Sequence, residues 1–241
     1  MQHCHLHWPP LAVTAGVRMP CSFRRRVTVA CSIALAVAVS SPTIAADLRV
    51  FTPDAIIDWE PHSFAGETEY ALVSIDGRDA VHAQCEPGSA SGLVLRTEID
   101  LEQTPILEWD WRVGNVFEGI DETTRGGDDY PARVYAVDAR PIARWRTRAV
   151  NYVWSSLMPA GSSWPNAFAA QARMVAVRSG KEDAPDRWTT ERRDLRSDFR
   201  DQHGAAPASI NTLAIMTDCD NTGQAAEAWY GEIRLLPDAD R

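Results

Sequence analysis

The sequence lacks an apolar run long enough to span a bilayer comfortably. Its most apolar stretch, "VTVACSIALAVAV", occupies residues 27–39, whereas a spanning helix needs about 20 such residues. It also lacks the local signatures of several enzyme classes. There is no Gly-x-Ser-x-Gly, since the nearest string, "GSASG", has Ala90 at its centre; there is no His-Glu-x-x-His, no glycine-rich phosphate loop and no Cys-x-x-Cys. Histidine is scarce after residue 46, where only His62, His82 and His203 occur, each isolated, so no catalytic triad is signalled. No internal repeat or long linker divides the chain.

What is present begins with an export signal. Arg24, Arg25 and Arg26 precede the apolar run, and "SSPTIAA" follows it, ending in small residues. Basic, apolar, then small is the layout of a secretory signal peptide. The expectation is a leader over 1–46 cleaved near Ala46, with Met19 as the better-proportioned start, and a periplasmic or secreted protein with no membrane insertion after cleavage. The metal-like string "HCHLH" at 3–7 falls within this leader.

Residues 47–241 suit one domain and hold all 33 acidic residues but only 20 of the 24 basic ones, a net charge of −13. Such a surface repels phosphate backbones and anionic headgroups, which argues against nucleic acid and a membrane surface and makes cations and neutral glycans the better expected partners, with a small-molecule ligand also open. Oligomeric state is not signalled. Two cysteines remain, Cys85 and Cys219. In an oxidising compartment they form a disulfide or stand as two separately buried small side chains.

The remaining pattern is β. Segments 70–75, 80–85, 92–99, 106–113, 132–137, 149–154, 173–179, 210–217 and 228–236 are punctuated by Gly, Pro, Asp and Asn. In "LEWDWRV", Leu107, Trp109, Trp111 and Val113 point to one face and Glu108, Asp110 and Arg112 to the other. One helix is expected, capped by Asp194, with Leu195 and Phe199 on one side and Gly204 at its end. The predicted class is an all-β, jelly-roll-like antiparallel β-sandwich with one short helix.

Candidate site residues fall in three groups. "MTDCDNTG" sets Asp218 and Asp220 two apart at a strand end. With 19 residues after Thr222 and antiparallel segments before it, the parallel α/β scaffold of a phosphoryl-transfer aspartate pair is not expected. An EF-hand is excluded because the twelfth loop position is Trp229, not Glu. A looser structural calcium site remains, from Asp218, Asp220 and Asn221 with a carboxylate from elsewhere, against a plain strand end and turn. In "RGGDDYPARVYAV", Asp128 and Asp129 are expected on opposite faces, one of them paired with Arg133. Trp145 and Trp164 lie in loop-like stretches, where an exposed indole would stack on a sugar ring or an aromatic ligand, against packing under the loop.

Taken in order, "LEWDWRV", "GDDYPARVYAV", "NYVW", "VAVRSG", "RWTTERRDLRSDF" and "AIMTDCDNTGQAAEAWYGEI" resemble an uncharacterised family of bacterial secreted proteins, domain of unknown function 3047. The chain departs from that pattern at Cys219, usually Thr, and at Glu232, often Asp. The resemblance implies a compartment and a fold but no activity. The function expected is a non-catalytic glycan or small-ligand binding module using Asp110, Arg112, Asp128, Asp129, Arg133, Trp145 and Trp164. The alternatives are an enzyme that acts on an envelope glycan through paired carboxylates, and a structural envelope protein.

Overall fold

Side-chain alternation generates two layers. A computed structural model describes residues 48–140, 142–180 and 186–238; the expected leader, its cleavage point and "HCHLH" lie outside these. The described residues belong to one compact unit, Ile44–Arg241. The strands are β1 (Arg49–Phe51), β2 (Glu60–Ala65), β3 (Glu69–Ile75), β4 (Arg78–Cys85), β5 (Ala90–Asp100), β6 (Ile106–Val113) and β7 (Arg133–Asp138). They continue as β8 (Arg148–Ser155), β9 (Ser163–Pro165), β10 (Ala172–Ser179), β11 (Thr189–Asp194), β12 (Ser209–Asp218) and β13 (Ala226–Leu236). Two α-helices interrupt them among the described residues, α1 (Pro53–Ile56) and α2 (Leu195–His203), with single 3-10 turns at Arg125–Gly127 and Arg144–Arg146. No helix among the described residues is long and apolar enough to cross a membrane.

One sheet has six strands in the order β11-β6-β13-β4-β3, with β1 also on β13; the other has seven, β2-β5-β12-β7-β8-β10-β9. The result is the expected jelly-roll-like sandwich. It departs from pure antiparallel pairing at β8 and β10, which run parallel from Ala149/Ala172 to Ser155/Ser179. All nine segments read from the sequence are strands. The four additional ones, β1, β2, β9 and β11, are short or polar: "EPHSFA" and "TTERRD" show no apolar alternation because β2 and β11 each end a sheet.

Large side chains fill the space between the sheets. Leu107, Trp109, Trp111 and Val113 are fully buried on β6, and they face Val134, Ala136, Tyr152 and Trp154 of the seven-stranded sheet within one cluster. Trp109 meets Tyr152 with ring centroids 5.1 Å apart, and Trp111 meets Trp154 at 5.8 Å. Fully burying an aromatic side chain contributes about 1.5–3 kcal/mol, so these four rings are a principal tie between the layers.

Helix α2 closes one end of the core as its sequence predicts. The Asp194 carboxylate accepts from the Arg196 and Ser197 N–H groups, Leu195 and Phe199 are fully buried, and Gly204 takes the left-handed conformation (φ 78°) that ends the helix. A second helix, the four-residue α1, is an addition to the expected one; Pro53 starts it, where a missing N–H costs nothing.

Candidate ligand-binding cleft

Inward residues alternate with outward ones, so the same pattern that builds the core also builds the outer face of the seven-stranded sheet. On β7, Val134 and Ala136 point in while Arg133 and Tyr135 point out; on β8, Val150 and Tyr152 point in while Asn151 points out. These outward residues, with Met216 of β12, floor a cleft of about 410 Å³. Its walls come from the 166–172 connection, which supplies Asn166 and Phe168, and from Phe64 on β2. Phe64 and Phe168 are 67% and 54% exposed, so two large apolar faces flank a polar floor. An adjoining hollow of about 210 Å³ shares Phe64, Tyr135 and Met216 and extends the trough over Val94, Thr212 and Ala214.

At one end stands a charged net. Arg133, 4% exposed, forms an ion pair with the Asp218 carboxylate, donates to the Asp128 main-chain carbonyl at 2.7 Å and to Tyr135 Oη at 3.0 Å, and lies 4.3 Å over the Tyr130 ring. Asp218 Oδ1 also accepts from the Tyr130 N–H. Burial pushes the Asp218 carboxyl well above its ordinary value, with Asp129 and Asp128 adding to the shift and Arg133 opposing it. Asp128 is likewise raised by burial, against the pull of Arg133, and both its oxygens accept from Asn166 Nδ2 at 2.9 and 2.7 Å. Asp129, fully buried, accepts from the main-chain N–H groups of Asn221 and Thr222 and from Asn221 Nδ2. Asp220, at the exposed rim, is raised by its partial burial and then by Asp129.

The loop that carries Asp128 and Asp129 is held by backbone packing. Gly127 sits so close to the preceding turn that a Cβ there would stand 2.3 Å from the Asp121 carbonyl oxygen. Beside it, the buried Glu122 carboxylate gathers the N–H groups of Ser156, Leu157 and Met158 and the Ser155 hydroxyl. The disulfide Cys85–Cys219, Sγ–Sγ 2.06 Å, fastens the Asp218–Asn221 turn to the end of β4.

The expected site residues divide accordingly. Asp128, Asp129, Arg133, Asp218, Asp220 and Asn221 come together. Asp128 and Asp129 sit in a loop rather than on a strand, so strand alternation does not govern them, and the carboxylate that pairs with Arg133 is that of Asp218. Asp110 and Arg112 lie on the outer face of the other sheet, away from the cleft. There Arg112 pairs with Asp76 and Asp186 and lies over Trp229, while Asp110 faces Arg234 and Thr190. A hollow of about 350 Å³ beside Asp110 is lined mainly by charged groups, and Arg234 answers Asp110, Glu108 and Glu232 from within the protein. Trp164 is not exposed. It is 95% buried beside Tyr130 and donates its indole N–H to the Glu122 carbonyl, because the 163–165 segment forms β9 instead of a loop. Trp145 is 79% exposed but does not line the cleft.

A carboxylate from elsewhere does join Asp218 and Asp220: one oxygen from each and one from Asp129 lie within 4.8 Å of one another. The donor set fits calcium poorly, because Asp129 is filled by N–H groups and Asp218 is engaged by Arg133, a cation already in place. The sequence reading missed Phe64, Tyr135, Asn151, Asn166 and Phe168. The outward phase of "ARVYAV" and "AVNYVW" marks Tyr135 and Asn151; no sequence pattern marks the other three.

Fold and cleft together define a β-sandwich domain with a built trough on one sheet face. The chain belongs to the family described as "Protein of unknown function (DUF3047)", whose model matches residues 57–234. A search of curated proteins returns no match. Among solved structures, the chain is similar to the glycoside hydrolase domain of Endo-D from Streptococcus pneumoniae R6 (11% identity, TM-score 0.40), covering 75% of this chain but only 22% of that one. It is also similar to a family 11 carbohydrate-binding module from Clostridium thermocellum (10% identity, TM-score 0.44, 80% and 96% covered). A third is a cellulase derived from Cel12A of Rhodothermus marinus (11% identity, TM-score 0.44, 78% and 95% covered). At these identities and scores they lend no weight to a function.

Proposed function

We propose that the protein is an exported, non-catalytic binding module whose cleft on the seven-stranded sheet holds a glycan. The observation that supports this most is the trough itself, where Arg133, Tyr135 and Asn151 form a polar floor between the exposed rings of Phe64 and Phe168. Apolar faces that stack on sugar C–H surfaces, with a few polar groups between them, are what saccharide recognition requires. Glycan hydrolysis needs two available carboxyls across the scissile bond. Here Asp128 is tied to Asn166 and Asp218 to Arg133, and Asp110 is on the other sheet. The test is a thermal-shift and calorimetric screen of the purified protein against soluble oligosaccharides. A saturable rise in Tm with at least one of them is expected, since ligands of the native state stabilise it. No rise and no heat with any of them refutes the reading and leaves a structural envelope role.

A further inference from the structure

We infer that the ligand of this cleft is an uncharged oligosaccharide whose hydroxyls are read by Arg133 Nε and Asn151 Oδ1, an inference that rests on the glycan-binding reading above. Both atoms are buried side-chain polar atoms with no hydrogen-bond partner among the described residues, and their side chains are 4% and 1% exposed. Both side chains line the cleft. Arg133 spends its terminal nitrogens on Asp218, Asp128 and Tyr135, and Asn151 spends its Nδ2 on the Met174 sulfur at 3.3 Å, so in each case the atom left over is the one not used by the protein. An unmet buried polar atom destabilises the free protein, and a ligand that satisfies it recovers that cost.

The chemistry of the two atoms selects the ligand. Nε–H is a donor and Oδ1 an acceptor. A hydroxyl satisfies either; a carboxylate offers Asn151 no proton, and an ammonium offers Arg133 no lone pair. Charge points the same way against acids: Asp128, Asp218 and Asp220 line the cleft, and among the described residues the arginines that line it and its adjoining hollow, Arg133 and Arg96, are already paired with Asp218 and Glu60. Asn151 is the cross-strand partner of Tyr135, two residues along β7 from Arg133. The pair therefore lies on a sheet diagonal of about 7–8 Å, within reach of one sugar ring and its substituents. The trough continues from there over β12 and β5 toward Phe64, so the ligand is a chain rather than a monosaccharide.

The test is calorimetry of the purified protein with three sets of oligosaccharides of equal length: neutral (gluco-, xylo-, manno- and N-acetylchito-), acidic (galacturonate) and amino (chitosan). The variants are Asn151→Ala and Phe168→Ala. Binding confined to a neutral set is expected, weakened about tenfold or more by Asn151→Ala; that change also removes the buried Nδ2 bond to the Met174 sulfur, so Tm of the free variant falls, and affinity is read at a temperature where the variant is fully folded. Phe168→Ala, at a position 54% exposed, is expected to weaken it as well, and Trp145→Ala to leave it unchanged. Preference for the acidic or amino set, or full affinity in Asn151→Ala, overturns this inference while leaving glycan binding intact. Silence from all three sets removes both.

Discussion

Replacing Arg133 with Met should be among the most damaging single changes in the domain. The guanidinium is almost fully buried beside Asp218, itself 2% exposed, and among the described residues it is the one positive group paired with a net that also holds Asp128 and Asp129. Met fills much of the same volume but leaves the Asp218 carboxylate with only the Tyr130 N–H, and it frees the Asp128 carbonyl. Removing one partner of a buried ion pair costs about 3–5 kcal/mol, because the other charge stays buried without compensation. For a domain of this size that amounts to a fall in Tm of roughly 6–20 °C. Arg133 also opposes the upward shift of Asp218, so its loss raises that carboxyl further. The native state then holds a proton that the unfolded chain releases above the ordinary carboxylate value of 3.8, and stability declines as pH rises through that window. Urea melts of the protein and of Arg133→Met, followed by tryptophan fluorescence from pH 4 to about 8, measure both effects. Adding Asp218→Asn should recover part of the loss and flatten the pH dependence, and a double-mutant cycle reads the coupling. A deficit below about 1 kcal/mol, typical of an exposed ion pair, would refute the reasoning.

Further outcomes can be measured on the same material. Reducing Cys85–Cys219, or replacing both with Ala, should lower stability by about 2–5 kcal/mol, the range for a bridge that closes a loop as long as this one of 134 residues; equal melts in oxidant and reductant would contradict it. Asp220→Asn should match the parent protein near pH 3.8 and gain on it as pH rises, because a carboxyl raised in the native state opposes folding once the unfolded chain ionises; a constant offset in Tm from pH 3.5 to about 7 would count against this. Calcium and chelator should leave Tm unchanged, since Arg133 and N–H groups occupy the three-carboxylate cluster. A rise with calcium that EDTA reverses would show that the cluster takes the ion instead.

How much was legible depends on which physical signal each feature left in the chain. The apolar alternation of β6 and the Asp194 to Gly204 frame of α2 are local patterns, and the structure reproduces them at the expected residues. Edge strands β2 and β11 were silent because solvent meets them on more sides and imposes no apolar phase. Trp164 misled because a loop-like composition, "GSSWPN", hides a three-residue strand paired with β10, which turns the indole inward onto Tyr130. The acidic strings stand out in the sequence, but their partners do not: Arg133 with Asp218 and Asp129 with Asn221 lie 85 and 92 residues apart in sequence.

The sequence alone determined the class of fold, the ends of its one substantial helix and the polar turn at 218–222, because each follows from periodicity or from a cap within a few residues. Only the tertiary structure decided which charged residues share a site. It placed Asp110 on the six-stranded sheet and Asp128 in the loop before β7, joined Cys85 to Cys219, and left Arg133 Nε and Asn151 Oδ1 without partners among the described residues in the floor of a trough. Strand pairing sets those positions, and pairing is settled by packing between segments far apart in the chain.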